Sequence, residues 1–383
     1  MILYYIICIK GSFNLKKSYK VIFHIDLNAF YATCAMIKEP HLKHRVFVVG
    51  GQSSQPRGVV STASYKARKY GIHAGMSMLD ALNKFPRLLI VPVDFKFYRE
   101  MSNKFMEVLD SYSDLVLQAS IDEAFLDMTK ASEEIHPIKL AKKIQKELVD
   151  KYQLPTSIGI APTLFLAKMA SDMKKPLGIT VLRKRDVEKL LYPLSVADIY
   201  GIGKQTYPKL MALGINSIKD FMDLSNLPKI TRVMKEETYY SFREYILGNS
   251  SNVVDPDKYR LPKSISAETT FNTNIDEPSI LLDIIMSQLD ESLARLKKYN
   301  MLTKTVGFKL KSSDFKSITR SKTLEDYTND PEIIKYELTS LFENEFEGGI
   351  YRLAGASLSN LILHRDNEIP FNLFTYEKFI TKL

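Results

Sequence analysis

Short apolar runs, several of them rich in β-branched residues, alternate along the chain with amphipathic stretches of helical period. Strands alternating with helices indicate an α/β or α+β sheet domain in the first half of the chain. A second unit of the same kind is predicted at residues 262–363. In the first half, strands are predicted at 21–26, 46–49, 58–61 and 157–161, a two-stranded hairpin at 115–127, and helices at 63–70, 97–113, 136–151 and 164–172. In the second unit, strands are predicted at 264–271, 304–312 and 351–363, and helices at 278–299 and 331–346.

Short helices are predicted between these two units, around a Gly-x-Gly hairpin at Gly201 and Gly203. Such a hairpin before a helix presents backbone N–H groups to a phosphate, and Lys204 follows it directly. A lone Gly-x-Gly is weak evidence for a phosphate-binding site. When a helix and a Leu-Gly-Ile sequence follow the motif, the combination is typical of a helix-hairpin-helix module that binds the nucleic-acid backbone. A polar, turn-rich stretch at 248–257 predicts a linker to the second unit.

The predicted hairpin at 115–127 carries two adjacent carboxylates, Asp122 and Glu123, between its apolar runs. Adjacent acids repel each other unless a cation neutralises them, although a solvated acidic turn is the commoner explanation. A third carboxylate, Asp26, ends the apolar strand 21–25, where it could also cap the following helix. His24 inside that strand is expected to be a satisfied interior histidine. A metal site therefore requires strand 21–26 to pair with the hairpin.

Cationic and aromatic side chains appear at other points where they could hold phosphate groups. Tyr65 and Arg68 lie three residues apart on one predicted helix face, which could equally be an ordinary exposed face. Lys175 lies on a turn before Pro176. On the predicted strand 304–312, apolar and polar residues alternate, so one face packs on a core and the other is cationic. The stretch 304–322 holds six basic residues: Lys304, Lys309, Lys311, Lys316, Arg320 and Lys322.

Composition agrees with a globular protein that has a polyanionic partner. The chain of 383 residues is long enough for two to four domains, and its net charge is +9, which could also serve solubility alone. Its two cysteines lie outside any Cys/His cluster, which argues against a disulfide framework and structural zinc and favours a reducing, cytoplasmic location. The apolar start lacks the features of a signal peptide and is too short to span a bilayer. Residues 1–19 are interpreted as an arm of unknown role.

In this order, the motifs closely resemble those of the Y-family, or translesion, DNA polymerases, and of their bacterial members most of all. The resemblance covers residues 21–365. It rests on His24–Ala32, Ser61–Arg68, Ala119–Phe125, Ala170–Pro176 with Gly178, Gly201–Gly203, Pro262–Ser266 and Ser313–Ser321. It implies an α+β multidomain right hand. The palm would comprise 20–37 and 97–183, the fingers 38–96, the helical thumb 184–248, a linker 249–261, the α/β little finger 262–365 and a tail 366–383.

The resemblance also implies roles for individual residues. Asp26 and Asp122 would bridge two Mg²⁺ ions, Glu123 would bind the catalytic ion, and Leu27 would lend its backbone carbonyl. Tyr65, Arg68 and Lys175 would hold the triphosphate. Tyr31, supported by Phe30, would be a steric gate against ribonucleotides. Ser61 and Thr62 would cover the nascent base pair. The candidate DNA contacts are Gly201, Gly203, Lys204, Lys309, Lys311, Lys316, Thr319, Arg320 and Ser321.

The expected function is template-directed, low-fidelity synthesis past damage by a monomer that uses primer–template DNA and deoxynucleoside triphosphates. No second acidic cluster of nuclease type is present in the sequence, so proofreading is not expected. Asn28 stands where many family members have a second Asp, at a position that is not a usual metal ligand. Phe371, Leu373 and Phe374 resemble a sliding-clamp peptide that lacks its Gln. One alternative is a catalytically silent DNA-binding scaffold that the clamp recruits. Another is a nucleotide cyclase with a similar palm, but a cyclase would not explain residues 198–216 and 304–322.

Overall fold

The computed structural model describes residues 20–51 and 58–364. These residues form two compact units, one made of 20–51, 59–76 and 80–259, the other of 260–364 with 58 and 77–79. The predicted arm at 1–19 and the candidate clamp peptide at 371–374 lie outside the described residues. None of the described helices combines the length and the apolar character that a membrane span requires.

The strands of the first unit build two sheets. Its strands are β1 Ile22–Leu27, β2 Phe47–Gly50, β3 Val60–Ala63, β4 Leu89–Val91, β5 Val116–Gln118, β6 Glu123–Asp127, β7 Thr156–Ala161 and β8 Ile179–Val181. Five strands form the larger sheet in the order β5-β6-β1-β7-β8, and the other three form a sheet in the order β3-β2-β4. Strand β1 is central to the larger sheet and antiparallel to both neighbours. The predicted pairing of strand 21–26 with the hairpin is therefore confirmed.

Helices cover both faces of the larger sheet. Up to residue 259 the helices are α1 Phe30–Lys38, α2 Tyr65–Arg68, α3 Met78–Lys84, α4 Phe95–Asp110, α5 Ala131–Glu134, α6 Pro137–Tyr152, α7 Leu164–Asp172, α8 Val187–Leu190, α9 Tyr207–Ala212, α10 Ile218–Met222, α11 Leu227–Ile230 and α12 Glu236–Ile246. One apolar core lies between the sheet and α4 and α6. A second core joins α7 to the short helices that follow it.

The alternation of side chains along β1 decides which residues meet on each face. Phe23, Ile25 and Leu27 belong to the core shared with α4 and α6. Ile22 belongs to the core on the other face, where α7 lies, and period two places His24 and Asp26 on that face as well. The strand is buried on both faces, so its residues before Asp26 are apolar except for His24.

Helix α7 approaches the sheet unusually closely at Gly159. A Cβ atom on Gly159 would lie 2.0 Å from the carbonyl oxygen of Ala167 and 2.5 Å from the nitrogen of Ser171. Only glycine leaves room for this contact. Because Gly159 is paired with His24 of β1, the helix lies directly over the face that carries His24 and Asp26.

The second unit is a four-stranded antiparallel sheet of order β11-β10-β12-β9 with two helices. Its core contains Val306, Phe308 and Leu310 together with residues of both helices, as the predicted alternation requires. The elements are β9 Ser264–Ile275, α13 Pro278–Lys298, β10 Met301–Ser312, β11 Ser317–Thr328, α14 Pro331–Glu345 and β12 Tyr351–Leu363.

The predicted elements agree with the observed ones to within a few residues, with two kinds of error. The strand predicted at 58–61 lies two residues later, at Val60–Ala63. Five elements were not predicted at all: β4, β8, β11, α3 and α5. Strand β11 has one fully buried apolar side chain, Leu324, so its pattern is that of a polar loop.

Candidate active site

Three carboxylates from separate parts of the sequence meet at the end of β1. Asp26 is paired with Glu123 of β6, so the two side chains point to the same face. Asp122 directly precedes β6, and its carbonyl oxygen accepts a hydrogen bond from the nitrogen of Leu27 at 2.9 Å. Asp26 does not cap the following helix, because the N-cap position is Ala29 and has no side-chain hydrogen bond. The cap alternative is therefore wrong.

A lysine that the sequence did not single out lies among these acids. The ammonium group of Lys168, on α7, is 2.6 Å from Glu123 Oε2 and 3.3 Å from Asp26 Oδ2. Lys168 is buried, and its position follows from the close approach of α7 to the sheet at Gly159. In the sequence it occupies one position of an apolar helical stretch, with no signal of its own beyond being a lysine on a buried face.

Lys175, predicted as a phosphate ligand, also contacts this cluster. Its ammonium group is 2.7 Å from Asp26 Oδ2 and 2.7 Å from Asp172 Oδ1. Asn28 fixes the turn that carries Lys175: its Oδ1 accepts from the nitrogen of Leu177 at 2.8 Å, and its Nδ2 donates to Ser157 Oγ at 2.9 Å. The buried amide thus links β1, β7 and the lysine turn without adding a fourth negative charge.

The surroundings shift the pKa values of the acids in opposite directions. Burial, followed by the neighbouring Asp26 and Glu123 charges, raises the pKa of Asp122, despite a hydrogen bond from Ser120. Burial also opposes ionisation of Glu123, but His24 and Lys168 outweigh it and lower the pKa of Glu123 to about 2. His24 Nε2 lies 3.4 Å from Glu123 Oε2, at the limit of hydrogen-bond reach, so we attribute most of this effect to Lys168.

His24 is an interior residue, as predicted, but it is satisfied only in part, because its buried Nε2 has no hydrogen-bond partner. Its Nδ1 is 2.8 Å from Ser171 Oγ, and its ring packs on Phe125 with a centroid distance of 4.5 Å. Burial lowers the pKa of His24, which favours the neutral imidazole.

Oxygen ligands suit a divalent metal at this cluster. Asp26, Asp122 and Glu123 supply only carboxylate oxygens, the donors that Mg²⁺ and similar hard cations prefer. Among the described residues, no group of three or more acidic, histidine or cysteine side chains has its donor atoms arranged as a metal site. The lysine contacts account for this, because Asp26 and Glu123 point their oxygens at ammonium groups. The carboxylates are therefore ligands of the type that the cation prefers, but the oxygens of Asp26 and Glu123 are oriented towards lysine ammonium groups.

The proposed gate, Tyr31, belongs to an aromatic cluster beside the carboxylates. It stacks on Tyr98 at a centroid distance of 4.2 Å and an interplanar angle of 12°, and it contacts Phe30 and Phe95 at 5.6 and 6.2 Å. The negative charge of Asp122 contributes, after burial, to raising the pKa of Tyr31, which agrees with a position near the acids. Tyr98, on α4, was not predicted, because its helix shows only an ordinary amphipathic pattern.

The predicted phosphate-binding pair Tyr65 and Arg68 does share one helix face. The guanidinium of Arg68 lies 4.7 Å from the centroid of the Tyr65 ring, and Arg68 Nε donates to the carbonyl oxygen of Ala63 at 3.1 Å. Burial raises the pKa of Tyr65, and the charges of Arg68 and Lys175 act against this rise. Ser61, exposed, and Thr62, half-buried, precede this helix on β3.

The candidate DNA contacts lie in two places. Gly201, at φ +96°, Gly203 and Lys204 connect a short 3₁₀ turn to α9. The Cβ of any side chain at position 201 would also lie 3.1 Å from the Phe242 ring. Helix α9 begins only at Tyr207, after a further turn.

The second place is the sheet face opposite α13 and α14. Lys309 is paired with Thr319, and Gly307 with Ser321, so these residues share the face that also carries Lys311. Arg320 does not share it. Arg320 is paired with Phe308, whose ring packs on α14, and its guanidinium is 3.1 Å from Glu345 of that helix. Lys316 lies in the turn between β10 and β11, 2.9 Å from Asp314.

Comparison with known proteins gives one family. The impB/mucB/samB family profile matches residues 25–172, and the profile of its C-terminal domain matches residues 262–370. DNA polymerase IV of Oceanobacillus iheyensis is 36% identical over 363 residues, which covers 94% of this chain and 86% of the relative. DNA polymerase IV of Clostridioides difficile is 37% identical over 363 residues, which covers 94% and 98%.

Solved structures of similar fold agree. A Dbh-based Y-family DNA polymerase chimera has a TM-score of 0.77 at 26% identity and covers 90% of this chain and 100% of the chimera. An insertion ternary complex of Dbh DNA polymerase has a TM-score of 0.64, also at 26% identity, with the same coverage.

Proposed function

Because the chain belongs to the impB/mucB/samB family of Y-family DNA polymerases, we propose that its carboxylate cluster adds deoxynucleotides to a primer 3′-hydroxyl by two-metal-ion phosphoryl transfer. The chain is a DNA-directed DNA polymerase of the translesion type. The observation that carries the finer proposal is the pairing of Asp26 with Glu123, with Asp122 directly before the strand.

Asp26, Asp122 and Glu123 would hold two Mg²⁺ ions, with the backbone carbonyl of Leu27 as a further ligand. When bound, such ions lower the pKa of the attacking hydroxyl and offset charge on the leaving pyrophosphate. Phosphoryl transfer otherwise needs positioning and electrostatic stabilisation rather than covalent chemistry from the protein. The rigid sheet supplies the positioning, since Asp26 and Glu123 lie on paired central strands.

Tyr65, Arg68 and Lys175 would bind the β- and γ-phosphates of the incoming nucleotide. Arg68 is exposed on its helix, with its guanidinium held over the Tyr65 ring, so its remaining N–H groups are available to phosphate oxygens. Lys175 contributes a point charge from the turn that Asn28 fixes. Small residues at Ser61 and Thr62 would leave room for a distorted template base.

Primer–template DNA would lie against two surfaces that bind backbone rather than sequence. The N–H groups of Gly201 and Gly203 would face the backbone at one surface, whereas that of Ile202 already donates to the carbonyl oxygen of Ile199. At the other surface, Lys309 and Lys311 present cations among small polar residues. The absence of proofreading, expected from the sequence, stays a prediction. Docking of Phe371, Leu373 and Phe374 on a sliding clamp stays a prediction.

Primer extension tests the proposal. The parent protein should extend a primer on undamaged and lesion-bearing templates with Mg²⁺, and Asp122→Ala or Glu123→Ala should reduce the rate by at least about 100-fold, since each removes transition-state charge stabilisation. A matched control is Asp150→Ala, an exposed acid whose ion pair with Lys146 lies on the surface of α6. Full activity in both active-site variants would reject the two-metal assignment. Primer–template binding without any incorporation by the parent would favour a scaffold.

A further inference from the structure

Helix α7 supplies both a cation to the carboxylate cluster and an acid beside it. Lys168 Nζ contacts Glu123 and Asp26, and it is also 3.8 Å from Asp172 Oδ2, one helical turn further on. The Lys168 side chain is only 11% exposed, whereas that of Asp172 is 48% exposed. A buried ammonium group therefore already lies within ion-pair distance of acids on β1, on β6 and on its own helix.

We propose that Lys168 is a built-in counter-ion of the metal-binding carboxylates, which a divalent cation has to displace, and that Asp172 accepts Lys168 when this happens. This inference rests on the proposed function, because it assigns cation binding to Asp26 and Glu123. It adds a positioning residue and its partner, neither of which contacts substrate in the proposed reaction.

Competition follows from the oxygens that are shared. The same Oε2 atom of Glu123 and Oδ2 atom of Asp26 that face Lys168 are donors a cation would use. An ammonium group and a divalent cation repel each other and cannot share these oxygens at contact distance. Lys168 therefore has to leave Glu123 Oε2 and Asp26 Oδ2 if a cation is to coordinate these two atoms, and Lys175, 2.7 Å from Asp26 Oδ2, competes for the second of them.

Asp172 lowers the free-energy cost of moving Lys168 away from Glu123 and Asp26. Leaving a buried ammonium group without a partner is costly, so Lys168 needs another acceptor if it loses Glu123. Asp172 is already within ion-pair distance and partly solvated. It also pairs with Lys175 at 2.7 Å, so the movement of Lys168 would add a second lysine to one acid. In the absence of a cation, Lys168 offsets the repulsion between the carboxylates.

Binding of Mn²⁺ alone, without DNA or nucleotide, tests the inference through the electron paramagnetic resonance signal of the free ion. Lys168→Met should tighten Mn²⁺ binding about tenfold, the middle of the range for interactions between contacting residues. Lys174→Met removes the same charge from the same segment, but Lys174 makes no ion pair with the three acids among the described residues, so its Kd should change far less. Equal Kd values for Lys168→Met and the parent would overturn the proposal.

Asp172→Asn provides a second arm that does not depend on the folding of a core variant, because Asp172 is exposed. It should weaken Mn²⁺ binding about threefold, the size expected for losing one partly exposed ion pair. In the Lys168→Met background the same substitution should have a clearly smaller effect, since there is no Lys168 to accept. An equal effect in both backgrounds would show that Asp172 acts through its charge or through Lys175, and would reject its role as acceptor of Lys168.

Asp122→Asn separates this inference from the proposed function. Loss of Mn²⁺ binding in Asp122→Asn, together with an unchanged Kd in Lys168→Met, would reject the lysine competition and leave the metal assignment intact. Mn²⁺ binding that does not respond to Asp122→Asn would reject the metal assignment itself. Melting temperatures from circular dichroism identify any variant that does not fold.

Discussion

Tyr31 lies face to face with Tyr98 and is flanked by Phe30 and Phe95, so its ring has little freedom to move. A ring held in this way can exclude a ribose 2′-hydroxyl by contact. We expect Tyr31→Ala to raise the ratio of ribonucleotide to deoxynucleotide incorporation by at least about tenfold, the scale of one close steric contact. The measurement is kcat/KM for matched ribo- and deoxynucleotides. Unchanged sugar discrimination would reject the gate.

Tyr98→Phe is the matched control for this measurement. It keeps the stacked ring under Tyr31 and removes only the hydroxyl, so sugar discrimination should stay close to that of the parent. Tyr98→Ala removes the support, and we expect it to reduce discrimination in the same direction as Tyr31→Ala, by a smaller factor.

Glu123 makes stability depend on pH in a defined direction. Its pKa falls from an ordinary value of 4.5 to about 2 on folding, so ionised Glu123 stabilises the folded state above about pH 4.5. This contribution is lost as pH decreases from 4.5 towards 2. Urea unfolding in EDTA between pH 6 and 3.5 should show a weaker decrease for Glu123→Gln than for the parent. Glu236→Gln, an exposed acid at the start of α12, should retain the parent's pH dependence.

At the scale of the elements, the close contact between β7 and α7 at Gly159 positions Lys168 and Ser171 under β1. We expect Gly159→Ala to destabilise the fold by about 2–4 kcal/mol, because the added methyl group overlaps backbone atoms of α7 that cannot move independently. Gly203→Ala is the control, since a Cβ there meets no atom within 4 Å. Denaturant unfolding measures both. A Gly159→Ala protein as stable as the parent would show that α7 can shift away.

The same elements show what the sequence could predict. The apolar runs of β1 and the hairpin predicted these strands, and their pairing was predicted because a metal site requires Asp26 to lie beside Asp122 and Glu123. Strand β11 could not, because an edge strand that buries little has the composition of a loop. The role of Lys168 could not either, since the approach of α7 to the sheet depends on tertiary packing at Gly159.

On the scale of the whole molecule, the net charge of +9 is compatible with DNA binding but does not say where DNA lies. The cations of the second unit are divided between the two faces of its sheet. Lys309 and Lys311 lie on the face away from the helices, whereas Arg320 and Lys322 pair with Glu345 and Glu337 of α14. This division turns a basic stretch of sequence into one cationic face and one ion-paired, helix-covered face.

The salt dependence of DNA binding should report this division. Each lysine that contacts a phosphate contributes about 0.9 to the slope of log K against log salt concentration, so Lys309→Ala with Lys311→Ala should reduce the magnitude of that slope by up to about 2. Lys335→Ala is the matched control, because Lys335 on α14 is held 2.8 Å from Asp290 on α13, on the helix side of the sheet. The slopes come from affinities for a primer–template duplex, measured by fluorescence anisotropy at salt concentrations from about 50 to about 200 mM.

Because Lys309 is itself 2.7 Å from Glu268 in the structure, the decrease in slope for the double variant should be partial. Glu268→Gln should make the slope steeper, because it releases Lys309 to contact phosphate. Identical slopes for the double variant and the parent would mean that DNA does not lie on this face.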